Sequence, residues 1–461
     1  MFFKILKNFY KVYLIGIITF CVFQNQTLSA AREPLIRVLI SKNKNLRIRS
    51  DRSIPLTIKG QSFSNKKIKG FTLKTENNRT IIFFDKNKEK FYDLENQQKL
   101  QIKSTDGRGI WVGKKRYSGK LNLFILDSEI LLVNVLGIEK YLSSVVGSEM
   151  PAKWPLEALK AQAIASRTYA LKQKGNSLYD IDSTNKNQVY SGLEARTYKT
   201  ARAVTSTRSL VLTYKNKLIN SLFHSSSAGM TENSENVWGN KYPYLSSVED
   251  FDQTNPKLRW EKRFSNEQLQ KLFPRIGGIR QIQILNITNT GRVKNVKIFG
   301  DYGSDQISGV DIRKRMNLRS TFVRFKFIED SETKSNKLNP ELIYTNKLEN
   351  EPLIYAVKAG DSLIDIANTY NVNVLEIISL NNIKDPSLIN IDQRLLIPRH
   401  IVDKTSLEDK ILVVLGNGSG HGVGMSQWGA RYMASKGQKA ESILKHFYKG
   451  VRIKPFNKNY L

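Results

Sequence analysis

From Pro155 to Ala170 the chain reads PLEALKAQAIASRTYA, and this stretch restricts the fold more than any other. Leu156, Leu159, Ala163, Ser166 and Ala170 recur at helical spacing and define one face. Pro155 suits the first helical position, where its missing N–H leaves nothing unpaired. Alanines at 158, 161, 163 and 165 keep the helix thin, so other backbone can approach it closely. Such a helix is a scaffold. Just before it, in "VVGSEMPAKW", Glu149 stands among Gly147, Ser148, Met150 and Pro151, with no further acid until Glu157. The preceding segment reads as a loop that the helix holds rigid and from which Glu149 is presented.

The rest of the chain alternates with that helix in kind. "LIRVLI", "NLRIRS", "GFTLKT" and "RTIIFFD" are short alternating runs split by Lys, Asn, Asp and Gly clusters, and they predict strands with turns. "LNLFILDSEILLVNVLG" predicts a hairpin turning at Asp127-Ser128, and "QIQILNITNTGRVKNVKIFGD" another at Asn289-Thr290-Gly291. "VLTYKNKLINSLFHSSS" and "STFVRFKFIED" add strands, and "SENVWGNKYPYLSSVED" an aromatic loop. Ser331 to Pro352 turns polar, as linkers do. Tyr355 to Pro398 reads strand, helix, helix, strand, with Asp361 or Ser362 as helix cap and Asn371 at the helix end. After Lys410 come a strand, a glycine-rich loop and two helical patterns split at Gly437. The fold class is α+β, with a β-rich main body.

The first residues have the form of an export signal. Lys4, Lys7 and Lys11 precede the apolar "VYLIGIITFCVF", and "TLSAA" offers small residues for cleavage near Ala30 or Ala31. That run is shorter than the roughly 20 residues of a membrane span; an uncleaved anchor is the alternative. The single cysteine, Cys21, lies inside this run, so the mature chain has neither disulfides nor thiolate metal ligands. Without the three leader lysines the net charge of +32 becomes +29. It favours anionic partners such as membrane headgroups or acidic wall polymers, and export excludes nucleic acid. Lysine and asparagine are spread evenly, however, and the charge reads as general composition.

Few residues offer chemistry. Gly416, Gly418, Gly420, Gly422 and Gly424 fit neither a dinucleotide fingerprint nor a phosphate loop. Alternation of this kind instead implies close approach by a ligand or another chain segment. The four histidines, His224, His400, His421 and His446, show no metal-binding spacing, and no metal or cofactor is expected. Ser426 lacks the trailing glycine of a nucleophile elbow. Glu149 remains. Beside Met150, Pro151 and Trp154 its carboxyl would be partly desolvated, which raises its pKa and suits a general acid. A helix-capping role fits the same position equally well.

"YLSSVVGSEMPAKWPLEALKAQAIASRTYAL", "DIDSTNKNQVYSG", "SSSAGMTENSENVWGNKYPYLSSV" and "GHGVGMSQWGARYMASKGQKAESILKHFYKGV" together resemble the SpoIID/LytB family, from about Tyr117 to Val451. The interrupting Tyr355–Pro398 segment resembles the LysM glycan-binding module. The first resemblance implies a lytic transglycosylase acting on peptidoglycan glycan strands stripped of stem peptides, or the family's other branch, a non-catalytic amidase enhancer with a cell-wall amidase as partner. It places the catalytic acid on Glu149 and suggests substrate contacts for Gln188, Tyr190, His224, Ser226, His421 and Gln427. The LysM resemblance suggests glycan contacts for Gly360, Asp361, Ser362, Leu363, Asn381 and Asn382. "SSSAGM" departs from the paired glycine usual in the family, and the cysteines that suggest zinc in some relatives are missing.

The expected organisation is a signal peptide at 1–31, a β-rich region at 32–115 and a catalytic core at 116–330. A linker at 331–352, the LysM module at 353–399 and a completing segment at 400–461 follow. The module would be inserted between two strands that the family joins directly. The setting implied is the periplasm, or the cell wall and extracellular space.

Overall fold

A computed structural model describes residues 33–329, 353–397 and 410–461, less 52–53, 61–62, 77–78, 85–86, 95–98, 174, 371 and 373. The expected leader, the 331–352 linker, Asn371 and His400 lie outside the described residues. Helix and strand are mixed, with 26% of residues helical and 37% in strands, consistent with the α+β class expected. Two compact units form, one from residues up to Tyr141 with Gly175–Ser183, the other from the remainder.

In the first unit, Leu35–Asn43 pairs antiparallel with Glu129–Gly137, which continues through Lys120–Leu126, Lys99–Ser104 and Leu56–Gly60 to Phe63–Ile68. The short strand Ile181–Asp182 joins Leu35–Asn43 in parallel. A second sheet of six strands holds Asn45–Ser50, Gly70–Glu76 and Arg79–Phe84. Asn45–Ser50 buries every second residue, as an alternating run should, whereas Glu129–Gly137 is buried on both faces. Asn134, inside that apolar strand, is tolerated because its Nδ2 donates to the Ser118 and Lys120 carbonyls. The 121–137 hairpin turns at Asp127 (φ 47°) and Ser128 (φ 62°), both left-handed as a two-residue turn on twisted strands requires. Lys120–Leu126 pairs with Lys99–Ser104, so the first unit runs on to Tyr141.

The second unit is organised by helices. Helix α1 (Ile138–Glu149) leads into it, then α2 (Leu156–Lys172) and α3 (Tyr198–Thr205) follow. Pro155 stands one place before α2, at the N-cap position, not as its first helical residue. From Ala161 to Ala170 every residue of α2 is buried, so the whole circumference is covered and not one face alone. Its polar residues are bonded inside: Arg167 donates to the Leu210 and Val204 carbonyls at 3.0 and 3.3 Å, and Thr168 Oγ1 accepts the Leu212 N–H at 2.8 Å. A buried guanidinium is stable only with such partners.

Short helices α4 (Ser234–Trp238), α5 (Asn266–Leu272) and α6 (Gly309–Arg315) punctuate the strands that follow. Gln281–Ile287, Val293–Gly300 and Gly303–Ser308 form a meander, and Lys410–Asn417 runs between Arg259–Phe264 and Val323–Glu329. Glu329 and Lys410 are partners in that sheet, so the chain leaves and re-enters at one point. Between them, Leu353–Ala356 pairs antiparallel with Arg394–Ile397 around α7 (Leu363–Thr369) and α8 (Val374–Leu380). Helices α9 (Gln427–Ser435) and α10 (Ala440–Phe447) then pack on α2, separated by left-handed Gly437.

Candidate active site

Glu149 is the last residue of α1, not part of a loop and not a cap at the start of α2. Three small residues on α1 explain what meets it. Ser144 Oγ donates to the Gly192 carbonyl at 2.6 Å, and Ser148 Oγ accepts the Ser191 N–H at 3.2 Å. At Gly147, a Cβ would stand 1.9 Å from the Ala195 carbonyl oxygen. Positions 144, 147 and 148 share one helix face, and that face receives the 188–195 segment. The result is a Val189 N–H donating to Glu149 Oε1 at 2.7 Å.

The other carboxylate oxygen, Oε2, accepts from Gln427 Nε2 at 3.3 Å. Gln427 opens α9, and that helix is held by Trp428 against Trp154, with ring centroids 4.9 Å apart. Arg431 lies over the Trp428 ring at 4.6 Å. Glu149 is half-buried. Burial lifts its carboxyl above the usual range, and the Val189 N–H and the Gln427 amide only partly offset this. No neighbouring carboxylate contributes to the shift.

The glycine-rich loop arrives beside this point by lying along residues 222–232. Phe223 and His224 pair in parallel with Met425 and Ser426, Ser226 bridges Ser419, and Glu232 bridges Val423. Gly420 (φ 111°) and Gly424 (φ 75°) show why glycine is needed. A Cβ would meet His224 Cβ at 2.6 Å in one case and the Leu222 carbonyl oxygen at 2.1 Å in the other. Another chain segment, then, makes the close approach that the glycines imply.

His224 is buried, with Nδ1 3.2 Å from the Val423 carbonyl and Nε2 2.7 Å from Ser227 Oγ. His421 Nδ1 accepts the Val423 N–H at 3.1 Å, and its ring lies 5.5 Å from that of His224. Burial and the Arg313 charge push His421 down to about 3; burial and His421 push His224 well below its ordinary value. Both imidazoles are neutral near pH 7. Ser226 Oγ donates to Asp252, which also accepts the Ala228 and Gly229 N–H groups at 2.8 and 3.0 Å. Asp250 takes the Ser227 N–H, and burial beside Asp252 pushes it up to about 7. This acid pair folds the 226–229 turn, and sequence reasoning missed it although "VEDFD" displays it. Also missed was the buried Arg292, which donates to the Ser227 and Met230 carbonyls. Among the described residues no three His, Cys, Asp or Glu side chains gather so as to hold a metal.

The structure brings Gln427 onto Glu149 and places His224, Ser226 and His421 together along the loop. It does not present every expected residue to a ligand. Gln188 and Tyr190 are buried, with Gln188 Nε2 3.2 Å from the Ser166 carbonyl, so their alternation points the intervening Val189 outward. Ser226 is likewise buried. In the small module, Leu363 is core, Asp361 accepts from Tyr355 Oη and the Lys358 N–H, and Ser362 caps α7. Asn381 bonds both ways with Leu396 backbone. Gly360 and Asn382 adopt left-handed turns, with open space beside Gly360. These residues shape the module's turns.

Residues 127–214 match the stage II sporulation protein family, SpoIID, and residues 355–398 match the LysM domain. The chain is 29% identical over 350 residues to an uncharacterized protein of Brachyspira hyodysenteriae, spanning 74% of this chain and 73% of that one. It is 29% identical over 342 residues to stage II sporulation protein D of Bacillus subtilis, spanning 70% and 75%. It is also 29% identical over 314 residues to the amidase enhancer of Bacillus subtilis, where 68% of this chain spans 40% of the relative.

Proposed function

We propose, for a chain that carries a SpoIID family segment and a LysM domain and is therefore a cell-wall-related protein, a lytic transglycosylase activity on peptidoglycan glycan strands. The supporting observation is Glu149, half-buried, raised by desolvation and held on both oxygens, with no second carboxylate acting on it. Ordinary glycosidases need two carboxyl groups. A transglycosylase needs one. Protonated Glu149 gives its proton to the glycosidic oxygen as the C1–O bond breaks. The sugar's own 6-hydroxyl then closes on C1 and returns its proton to Glu149, leaving a 1,6-anhydro ring and consuming no water. Val189 N–H and Gln427 steady the carboxylate between the two transfers.

The LysM module would add wall affinity. Its entry and exit at the paired residues Glu329 and Lys410 fit an insertion that leaves the sheet intact. Raising the local concentration of glycan near the cleft is the expected benefit. The site of action would be outside the cytoplasm, in the periplasm or the wall. Among the described residues no helix is long and apolar enough to cross a membrane.

Similarity to an amidase enhancer favours a second reading, in which the cleft binds glycan without cutting it and stimulates a cell-wall amidase. Wild type and Glu149→Gln, each incubated with denuded glycan strands, separate the two. The enzyme reading expects anhydro-muramyl product from wild type and a loss of about a hundredfold or more in the variant. Equal release from both, including none, ends that reading; stimulation of an amidase by both proteins would then support the second.

A further inference from the structure

A cavity of about 350 Å³ opens beside His421 of the glycine loop, lined by Arg313, Arg292, Lys294, His421, Thr288 and Ser308 among others. Its charges are not all matched. Arg292 is committed to backbone carbonyls and Thr290, with Glu232 3.8 Å away. Glu232 is saturated in turn by the Asn233 N–H, Asn236 Nδ2 and the Thr288 and Thr290 hydroxyls. Asp311, the other lining acid, is exposed and accepts from the Ser308 hydroxyl.

Arg313 is different. It lines the cavity from α6, is half-buried, and its guanidinium has no hydrogen-bond or ion-pair partner among the described residues. Partial burial lowers its pKa. Burial keeps the His421 ring neutral, and the Arg313 charge adds to that effect. A guanidinium without a partner in such a place matches a planar anion, which it can bind through two parallel N–H groups. The edge of the cavity adds a second requirement. Trp238, 46% exposed, meets His421 in an edge-to-face contact with centroids 5.1 Å apart, and its neighbours Asn236 and Val237 line the cavity. An exposed indole beside an anion site suits a sugar ring that carries an acid group.

We infer that this cavity is a subsite for a carboxylate borne on a sugar, with Arg313 as its ligand and Trp238 stacking on the ring. Resting on the glycan reading of Glu149, the inference names the group as the lactyl carboxylate of a muramic acid residue whose stem peptide has been removed. A strand with peptides attached has no free lactyl carboxylate, because that group is then an amide. The subsite therefore selects for denuded glycan.

Calorimetric titration of full-length Glu149→Gln, which removes turnover, tests this with four probes. They are a denuded glycan oligosaccharide, the same oligosaccharide with its carboxyl groups reduced to alcohols, a chitooligosaccharide of equal length, and a short stem peptide with a free carboxyl terminus. The denuded oligosaccharide should bind about tenfold or more tightly than the reduced one, as one charge-assisted contact of at least about 1.4 kcal/mol requires. Adding Arg313→Gln should erase the difference, and Arg313→Lys should restore part of it. Equal binding of the first two probes, or a preference that survives Arg313→Gln, overturns the subsite. Arg313-dependent binding of the stem peptide tighter than that of the denuded oligosaccharide overturns the sugar assignment. A cleavage assay that fails while the carboxylate preference stands would remove the catalytic reading alone.

Discussion

Gln427 Nε2 reaches Glu149 Oε2 at 3.3 Å across 278 residues of chain, joining the first residue of α9 to the last of α1. A donor on a carboxylate oxygen favours the charged form, so this bond restrains the rise that burial imposes. Replacing Gln427 by Leu should move the Glu149 pKa further up. In the pH–rate profile for release of anhydro product, the limb where the protonated acid is lost should shift to higher pH. An unshifted limb would mean that Gln427 does not bear on the acid.

Gly147→Ala sets two effects against each other. Alanine in a helix interior is favoured over glycine by about 1 kcal/mol. The new Cβ, however, would lie 1.9 Å from the Ala195 carbonyl oxygen, a backbone atom that cannot swing aside. Overpacking of that kind destabilises by about 1–3 kcal/mol. The clash should win, and the 188–195 segment should retreat with the Val189 N–H. Urea unfolding is expected to report a less stable protein, and the cleavage assay a slower one. A variant as stable as wild type would show that the segment yields freely.

What the sequence allows to be read follows from how local each determinant is. The strands of the first unit, the Asp127-Ser128 hairpin and the βααβ module were all legible, because alternation and turn chemistry act between neighbours. Helix α1 was not. "IEKYLSSVVGSE" mixes β-branched and small polar residues, and its Ser144, Gly147 and Ser148 make sense only once the 188–195 segment lies on them. The same limit applies to α2, where Arg167 and Thr168 bond to Val204, Leu210 and Leu212, backbone that nothing in the local sequence places beside them. Glu149 could be singled out by its setting, but the Val189 N–H that holds it comes from backbone and leaves no trace in residue type.

Asp250 gives stability a pH dependence of predictable sign. Its folded pKa is pushed up to about 7 by burial and by Asp252, whereas an unfolded aspartate titrates near 4. Between those values the folded state holds the extra proton, so stability falls as pH rises from about 4 to about 7. Asp250→Asn removes the titration and keeps an oxygen for the Ser227 N–H. Melting temperatures compared across that window should shift in favour of the variant as pH increases. Parallel curves would place the pH dependence elsewhere.

The pairing of Glu329 with Lys410 predicts what removing the module does. Adjacent antiparallel strands can be closed by a two-residue Asn-Gly turn, so replacing residues 330–409 with that turn should leave the second unit folded. On soluble denuded strands the shortened protein should cleave at close to the wild-type rate, since Glu149, Val189 and Gln427 all lie outside the deleted stretch. On intact wall material it should lose about tenfold or more, because the second point of attachment is gone. Residual wall binding through the cleft separates this outcome from that of a protein anchored by the LysM domain alone, in which binding would vanish. Failure of the shortened chain to fold would instead show that the module supports the sheet from which it emerges.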